Sequence, residues 1–436
     1  MKKDQAEREV VFVDGGRTPF LRAQTDFKSF SSYDLARLAI AGLINQTKLN
    51  GDIIDRVIFG NVIQNINTSN VAREASLAAG LPDTIPAYTI SMACISSNMA
   101  VTTAMDSILT GSIKSAVTGG TEVMSDIPIR FRKKFRQKLL ESQRYKSPAD
   151  YMKFFKGLRP SDLLPEVPAI AEYSTGETMG ESCDKMAAKY GITREEQDAY
   201  ALRSHQLAAK ATTDGLFADE IFPVPVQNGK KIVKTDNGIR ADSTMEKLQS
   251  LRPAFIKPHG TVTAGNSSYL TDGASAALIM EKSFAIEQGF TPKAFLRNYS
   301  YVARRPDDEL LIGPAFAIPK VLDEMKLTLD DMDVFEFHEA FAGQMLTILS
   351  VLNSDKFAKE RLNRKKKIGR IPLDKLNRSG GSLSLGHPFG ATGTRMLATA
   401  ANRLIHEDGR YALIAACAAG GQGHAMIIER FSEDNK

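Results

Sequence analysis

Apolar positions recur along this chain with two different periods. In Asp34 to Ile44 (DLARLAIAGLI) they fall three and four apart, the spacing of an amphipathic helix, whereas Asp55 to Ile63 (DRVIFGNVI) is a short apolar run of the strand type. A strand is also expected where a long stretch ends in Ser115 to Gly120 (SAVTGG), and another at SAALIME and at DVFEF. Met99, Met105, Ile108 and Leu109, with Gly111 beyond them, predict a helix beginning near Ile95. Thr193 and Glu196 form a T-x-x-E capping box before a helix expected over 193 to 213. Helices and strands alternating in this way predict an α/β fold.

The pattern repeats. Residues 39 to 59 laid on 317 to 337 match position by position: Ala39-Ile40 on Ala317-Ile318, Lys48-Leu49 on Lys326-Leu327, and Asp52, Asp55 and Phe59 on Asp330, Asp333 and Phe337. Each copy reads as amphipathic helix, acidic turn and strand, and each is expected to lead on to a strand ending in cysteine. Two α/β halves of like topology follow, residues 1–125 with 256–290 and residues 291–436. Between them, 126–255 reads as an inserted loop domain, basic and punctuated by proline, before the glycine-rich run Gly260 to Ser268 returns the chain to the first half.

Composition narrows the class. With 436 residues and 43% hydrophobic content, the chain can bury a large core. The net charge of +5 hides two local basic segments. Residues 129 to 159 carry eleven Lys/Arg against Glu141 and Asp150, and residues 356 to 370 carry eight against Glu360. The first also holds Phe131, Phe135, Leu139, Tyr151, Phe154 and Phe155 at the spacing of two amphipathic helices, which suits an anionic membrane surface or a partner subunit. No nucleic-acid-binding motif accompanies the charge. Three cysteines without a C-x-x-C pair fit neither a disulfide framework nor zinc, so a reducing compartment and no metal are expected. The first nine residues lack the features of a targeting peptide, and a cytoplasmic location is the expectation.

Two cysteines stand out. Cys94 precedes the helix expected at Ile95, where the positive end of the helix dipole would lower its pKa and make it the better nucleophile. Cys417 precedes Ala418-Ala419-Gly420-Gly421, small residues that leave backbone N–H groups uncovered for an oxyanion. His387, in the turn Gly386-His387-Pro388-Phe389-Gly390, has no helical or strand role and offers a base beside a thiol. His338 follows the strand DVFEF, a place equally suited to a hydrogen-bonded structural histidine. The remaining histidines, His205, His259, His406 and His424, have no comparable setting.

Over essentially its whole length the chain resembles the thiolases. The resemblance rests on seven stretches in order: Arg17 to Phe20, the segment around Cys94, Gly119 to Ser125, Gly260 to Ser268, His338 to Ala342, Gly386 to Pro388, and Cys417 to Gly423. It implies a five-layered αβαβα arrangement and a reversible Claisen cleavage of a 3-oxoacyl-CoA by CoA. Cys94 would be the acylated nucleophile, His387 the base that activates it, and Cys417 the acid/base for the acetyl-CoA enolate and the incoming CoA. His338 and His387 would polarise the thioester oxygen, and the amides of Cys94 and Ala419 would hold the oxyanion at the keto carbon. Many thiolases have asparagine in place of His338 and glycine in place of Ala419. The His-Glu-Ala-Phe form and the stretch PAIAEYSTGETMG resemble instead the thiolase subunits of fatty-acid-oxidation multienzyme complexes.

No P-loop or G-x-G-x-x-G is present to capture the phosphates of CoA. By the resemblance CoA and substrate would lie along Met179, Phe255, Ala264, Gly265, Ser268 and Phe341, with Arg240 near the nucleotide. CoA enters as co-substrate, and no permanently bound cofactor is expected. The resemblance further implies a homodimer or tetramer and a hydratase/dehydrogenase partner subunit. Two alternatives are an acetoacetyl-CoA-forming thiolase and a non-catalytic scaffold subunit of the same fold. A ketoacyl synthase would have no use for a second acid/base thiol.

Overall fold

The structure is a computed structural model and describes residues 8–166, 170–307 and 309–432. Residues 1–7, most of the start in which no targeting features are read, lie outside these, as do Pro168 and Ala169 of the stretch PAIAEYSTGETMG. Nine strands form one hydrogen-bonded path: β1 (Val10–Arg17), β2 (Arg56–Gly60), β3 (Ala87–Ile90), β4 (Ser115–Glu122), β5 (Thr271–Glu281), β6 (Ala294–Ala303), β7 (Val334–Phe337), β8 (Tyr411–Ala418) and β9 (Gln422–Arg430). Their order across the sheet is β7-β8-β9-β6-β1-β5-β4-β2-β3, with the short strand Leu21–Arg22 paired to β5.

The two ends of this order are copies of one another. In the first half β3, β2 and β4 run parallel and β5 and β1 follow antiparallel. In the second, β7 and β8 run parallel and β9 and β6 follow antiparallel, while a bridge from Leu376 to Phe335 extends the sheet where β3 extends the first. The halves meet at β1 and β6, through Val11 with Phe295 and Phe12 with Ala294, so two sheets are joined into one.

Helices α1 (Ser32–Thr47) and α2 (Val71–Ala78) cover the outer face of the first half, where Leu35, Ile40 and Leu43 pack on Val57, Val117 and Leu278. Helices α4 (Pro314–Met325) and α5 (Ala342–Leu352) cover the outer face of the second, with Ile318, Val321 and Met345 on Phe335, Leu413 and Ile427. Between the halves lie α3 (Ser96–Leu109) and α6 (Thr392–His406), whose Val101, Ala104, Leu397 and Ala401 share one core with residues of both, among them Ile58, Ile279, Ile414 and Ile428. The layers are therefore helix, sheet, helix, sheet, helix.

The repeat read from the sequence is present in detail. Lys48 and Lys326 both close their helix in the left-handed conformation at φ 55°, and each is followed by a single 3₁₀ turn, Gly51–Ile53 and Leu329–Asp331, leading into β2 and β7. One expectation is corrected. Cys417 lies in β8, but Cys94 follows a turn beyond the end of β3, and β3 is not the counterpart of β8. The counterpart of Cys417 is Thr121 of β4, which holds the same place relative to its parallel neighbour. Alternation of apolar residues identifies a strand but not its place in the sheet.

The described part of residues 130 to 255 contains the two amphipathic helices expected in the basic segment, Lys133–Ser142 and Pro148–Phe155, and three more, Met179–Lys189, Arg194–Thr213 and Met245–Gln249. Thr193 and Glu196 form the anticipated capping box. The later part of this segment is built into the core. Glu220 and Asp236 both pair with the fully buried Arg17, at 3.3 and 2.6 Å, so an arginine of β1 is neutralised by carboxylates from the insertion.

Candidate active site

The helix pair α3 and α6 positions the site. Each begins just after a turn that carries a candidate group: Cys94 two residues before Ser96, His387 five residues before Thr392. Both helices therefore begin, with the positive ends of their dipoles, near the place where the two turns meet, and the Thr394 amide in the first turn of α6 donates to Ser97 Oγ of α3 at 3.1 Å.

The Cys94 turn is tight. Ala93 takes a left-handed conformation at φ 47°, which costs a non-glycine residue about 1–2 kcal/mol and persists because the surroundings enforce it. The Ser96 hydroxyl donates to the Ala93 carbonyl at 2.7 Å and accepts from the Met92 amide at 2.8 Å, clamping the turn from both sides. No feature of the sequence marks Ala93 as strained, because glycine is the usual signal for positive φ.

The His387 turn is held by four contacts from three directions. Its amide donates to Thr271 Oγ1 at 3.0 Å, its Nδ1 lies 2.6 Å from Thr392 Oγ1, Leu270 bridges to it in parallel, and the Gly390 amide donates to the buried Glu122 at 3.2 Å. Glu122 also accepts from the amides of Val62 and Ile63 and from Asn61 Nδ2, which ties the turn to the first half, although burial pushes its carboxyl up to about 8. Gly120 of β4 lies against the Gly390 carbonyl with no room for a Cβ.

His338 leaves β7 with its amide bonded to the Ala415 carbonyl and its Nδ1 2.8 Å from Ser382 Oγ. Both imidazoles are buried, their centroids lie 4.0 Å apart, and the Nε2 of each lacks a hydrogen-bond partner among the described residues. Donor atoms of Cys94, His338 and His387 all lie within 4.8 Å of one another. That is looser than a hydrogen bond and close enough to tighten around a substrate. A soft divalent cation could also span such a trio if a lone pair were offered by each ring.

Burial sets the protonation states. His338 is lowered to about 3 by desolvation and by the Arg395 charge, and His387 is lowered by desolvation, His338 and Arg395, so both rings are neutral. Cys94 does not have the depressed pKa expected from its place before a helix. Desolvation pushes it up to about 11, while the amides of Ala419 and of Cys94 itself pull it down. The dipole is present, but the desolvation of the half-buried Cys94 thiol costs more than the dipole returns. The resting pair is thiol and neutral imidazole. Cys417 is buried and raised further, by desolvation first and then by Cys94 and Cys183.

The Ala419 amide thus faces the Cys94 sulfur. The next amide, of Gly420, donates at 2.7 Å to Glu172 from the inserted segment. Met179, Phe255, Phe341 and Cys417 share one apolar cluster, with the two phenylalanine rings edge to face at 6.0 Å. Gly265 and Ser268 are half-buried on the neighbouring loop, where Ser268 bonds to the Ala340 carbonyl, and Ala264 is exposed. Arg240 stands outside this cluster, exposed, with its amide on His205 Nδ1 at 3.2 Å. Sequence reading missed Glu122, Glu172, Ser382, Thr392 and Arg395. Of these, Thr392 and Arg395 lie in the same unbroken stretch as His387.

Comparison with known proteins identifies the family and the fold. Residues 10–283 match the family "Thiolase, N-terminal domain" and residues 290–430 match "Thiolase, C-terminal domain". Among curated proteins, the "Trifunctional enzyme subunit beta, mitochondrial" of Bos taurus is 54% identical over 425 residues, 97% of this chain and 89% of that protein. The "Probable 3-ketoacyl-CoA thiolase" of Caenorhabditis elegans is 53% identical over 97% of this chain and 94% of its own. Among solved structures, human mitochondrial 3-ketoacyl-CoA thiolase in complex with CoA superposes with a TM-score of 0.83 at 31% identity, covering 97% of this chain and 98% of that one. Matched along its length by both family patterns, this chain with its repeated five-layer fold belongs to the thiolase family, a family of acyltransferases.

Proposed function

We propose that the protein is a 3-ketoacyl-CoA thiolase of fatty-acid β-oxidation, cleaving a 3-oxoacyl-CoA with CoA into acetyl-CoA and a shortened acyl-CoA. The observation that carries the reading is the meeting of Cys94 with His338 and His387, whose Nε2 atoms have no hydrogen-bond partner among the described residues, and with the Ala419 amide. The Cys94 thiol gives its proton to His387 Nε2 as the sulfur attacks the keto carbon, and the amides of Cys94 and Ala419 receive the oxyanion. Breaking the C2–C3 bond leaves acyl-Cys94 and an acetyl-CoA enolate whose oxygen is held by His338 and protonated His387. Cys417 protonates C2 and becomes a thiolate. It then takes the proton of CoA, whose sulfur attacks the acyl group and releases Cys94, which regains its proton from His387. Met179, Phe255 and Phe341 wall the approach to Cys417 and suit the pantetheine arm, with CoA as co-substrate.

The test is direct. Mixing the protein with a long-chain 3-oxoacyl-CoA in the absence of CoA should raise its mass by one acyl group, located on Cys94, and Cys94→Ala should abolish both the adduct and turnover. An unmodified Cys94 would refute the acyl-enzyme and favour a scaffold subunit. Cleavage confined to acetoacetyl-CoA would favour the biosynthetic alternative.

The names of the trifunctional enzyme relatives support a place beside a hydratase/dehydrogenase subunit. The basic hairpin of helices suits an anionic bilayer surface. Phe135 and Phe154 pin its two helices together at 5.8 Å, leaving Phe131, Tyr151, Met152 and Phe155 exposed among lysines and arginines. No helix among the described residues is long and apolar enough to cross a membrane, so the contact would be peripheral.

A further inference from the structure

We propose that Ser382 and Arg395 are positioning residues that fix His338 with its proton on Nε2, while Thr392 fixes His387 in the opposite tautomer, so that the two adjacent rings present one donor and one acceptor to the substrate. This deepens the thiolase reading and rests on it for its consequence, but not for its geometry.

Both Nε2 atoms lack partners within the described structure, so the tautomers are decided at Nδ1. At His338, Nδ1 lies 2.8 Å from Ser382 Oγ, and Arg395 Nη2 lies 3.3 Å from the same oxygen. A guanidinium only donates, so it occupies an Oγ lone pair. The Ser382 hydroxyl hydrogen is left with His338 Nδ1 as the one acceptor the described residues give it. Nδ1 therefore accepts, and the ring proton sits on Nε2, facing the site. Arg395 is held in place by burial and by Glu336 at 3.6 Å.

At His387 the same logic gives the reverse. Thr392 Oγ1 donates to the Pro388 carbonyl at 3.1 Å, and a carbonyl only accepts. The hydroxyl hydrogen is thereby committed, Oγ1 accepts from His387 Nδ1–H at 2.6 Å, and Nε2 is left with a bare lone pair. His387 is ready to take a proton from Cys94, and His338 is ready to donate to an oxygen. An asparagine at position 338 would carry its donor permanently, whereas a histidine must have its proton placed. The same proton withholds one of the lone pairs that a metal bound by Cys94, His338 and His387 would need.

The experiment is long-range 1H–15N correlation of the imidazoles in full-length protein labelled on histidine, at neutral pH and without substrate, with His338→Asn and His387→Asn for assignment. The wild-type spectrum should show His338 as the Nε2–H tautomer and His387 as Nδ1–H. An Nδ1–H signal for His338, or Nε2–H for His387, overturns the proposal, and this reading requires no variant beyond those used for assignment. Ser382→Ala should move His338 to a mixture or to Nδ1–H while leaving His387 unchanged, and should lower kcat roughly 10- to 100-fold, less than the roughly 100- to 1,000-fold of removing an oxyanion donor outright, with little change in KM. Arg395→Lys, which keeps a donor-only cation, should retain the Nε2–H signal. A Ser382→Ala spectrum identical to wild type would also overturn the proposal. Because the tautomers are read without turnover, they stand or fall separately from the thiolase assignment.

Discussion

Replacing Gly393 with alanine sets two effects of opposite sign against each other. Gly393 lies in the first turn of α6, and in an exposed helix alanine would be favoured over glycine by about 1 kcal/mol. Here the added Cβ would lie 2.6 Å from the backbone nitrogen of Asn98 in α3 and closer still to its side-chain amide. Comfortable heavy-atom contacts begin near roughly 3.5 Å, so α3 and α6 would have to part by about 0.9 Å. A side-chain rotation cannot relieve this, because the backbone itself is in the way. Overpacking of this kind costs about 1–3 kcal/mol, which set against the propensity gain leaves a net loss of up to about 2 kcal/mol. The same movement separates the turns of Cys94 and His387, and a displacement near 1 Å can cost about 100-fold in rate. Urea unfolding would measure the stability, and single-turnover acylation of Cys94 followed by mass spectrometry would measure the rate. Adding Asn98→Ala should recover only part of the loss, since the backbone contact remains. A Gly393→Ala protein that is more stable than wild type and acylates at full rate would refute the claim that this crossing sets the site.

Two further outcomes are expected. Burial lowers His338 and His424 to about 3 and His205 to about 4, and lowers His387 as well, so each is neutral in the folded protein while the unfolded chain titrates near the usual histidine value of about 6.5. Their contribution to stability is complete above that value and is lost as pH falls through the window towards 3, at up to about 1.4 kcal/mol per pH unit for each. Urea midpoints measured from pH 7.5 to 5 should decline, and a flat series would contradict the neutral burial. Deleting residues 130 to 158 should abolish sedimentation with vesicles rich in anionic lipid while leaving cleavage of short substrates intact. Unchanged sedimentation would remove the bilayer reading.

The halves and the chemistry were legible in the sequence for different reasons. The repeat survives as a pattern of apolar and acidic residues because both copies solve the same local problem, a helix closed by a left-handed lysine and an acidic turn into a strand. Cys94, His387 and Cys417 announced themselves because thiols and an imidazole among small residues have few structural uses. What escaped was tertiary. The pKa of Cys94 depends on the packing around its turn, which no local dipole argument contains. Ser382 and Arg395 act through a histidine distant from them in the chain, and neither serine nor arginine is unusual where it stands. Arg240 was placed by family spacing, and the structure leaves it apart from the apolar wall. The strand-end equivalence of the two cysteines failed because the chain pattern does not record which strands are neighbours.

Ser96 and Thr392 begin α3 and α6, and Ala116 and Ala412 pair to their parallel neighbours in the same register, so the duplicated halves superimpose through this region by one constant shift. By that shift Cys94 stands opposite Gly390, His387 opposite Ser91, and Cys417 opposite Thr121. Each half has kept the reactive group that the other has given up. A duplicated ancestor could in principle have built two reaction centres. This descendant divides the labour instead, so that neither half taken alone holds both the nucleophile and its proton acceptor, and chemistry begins only once the two have docked.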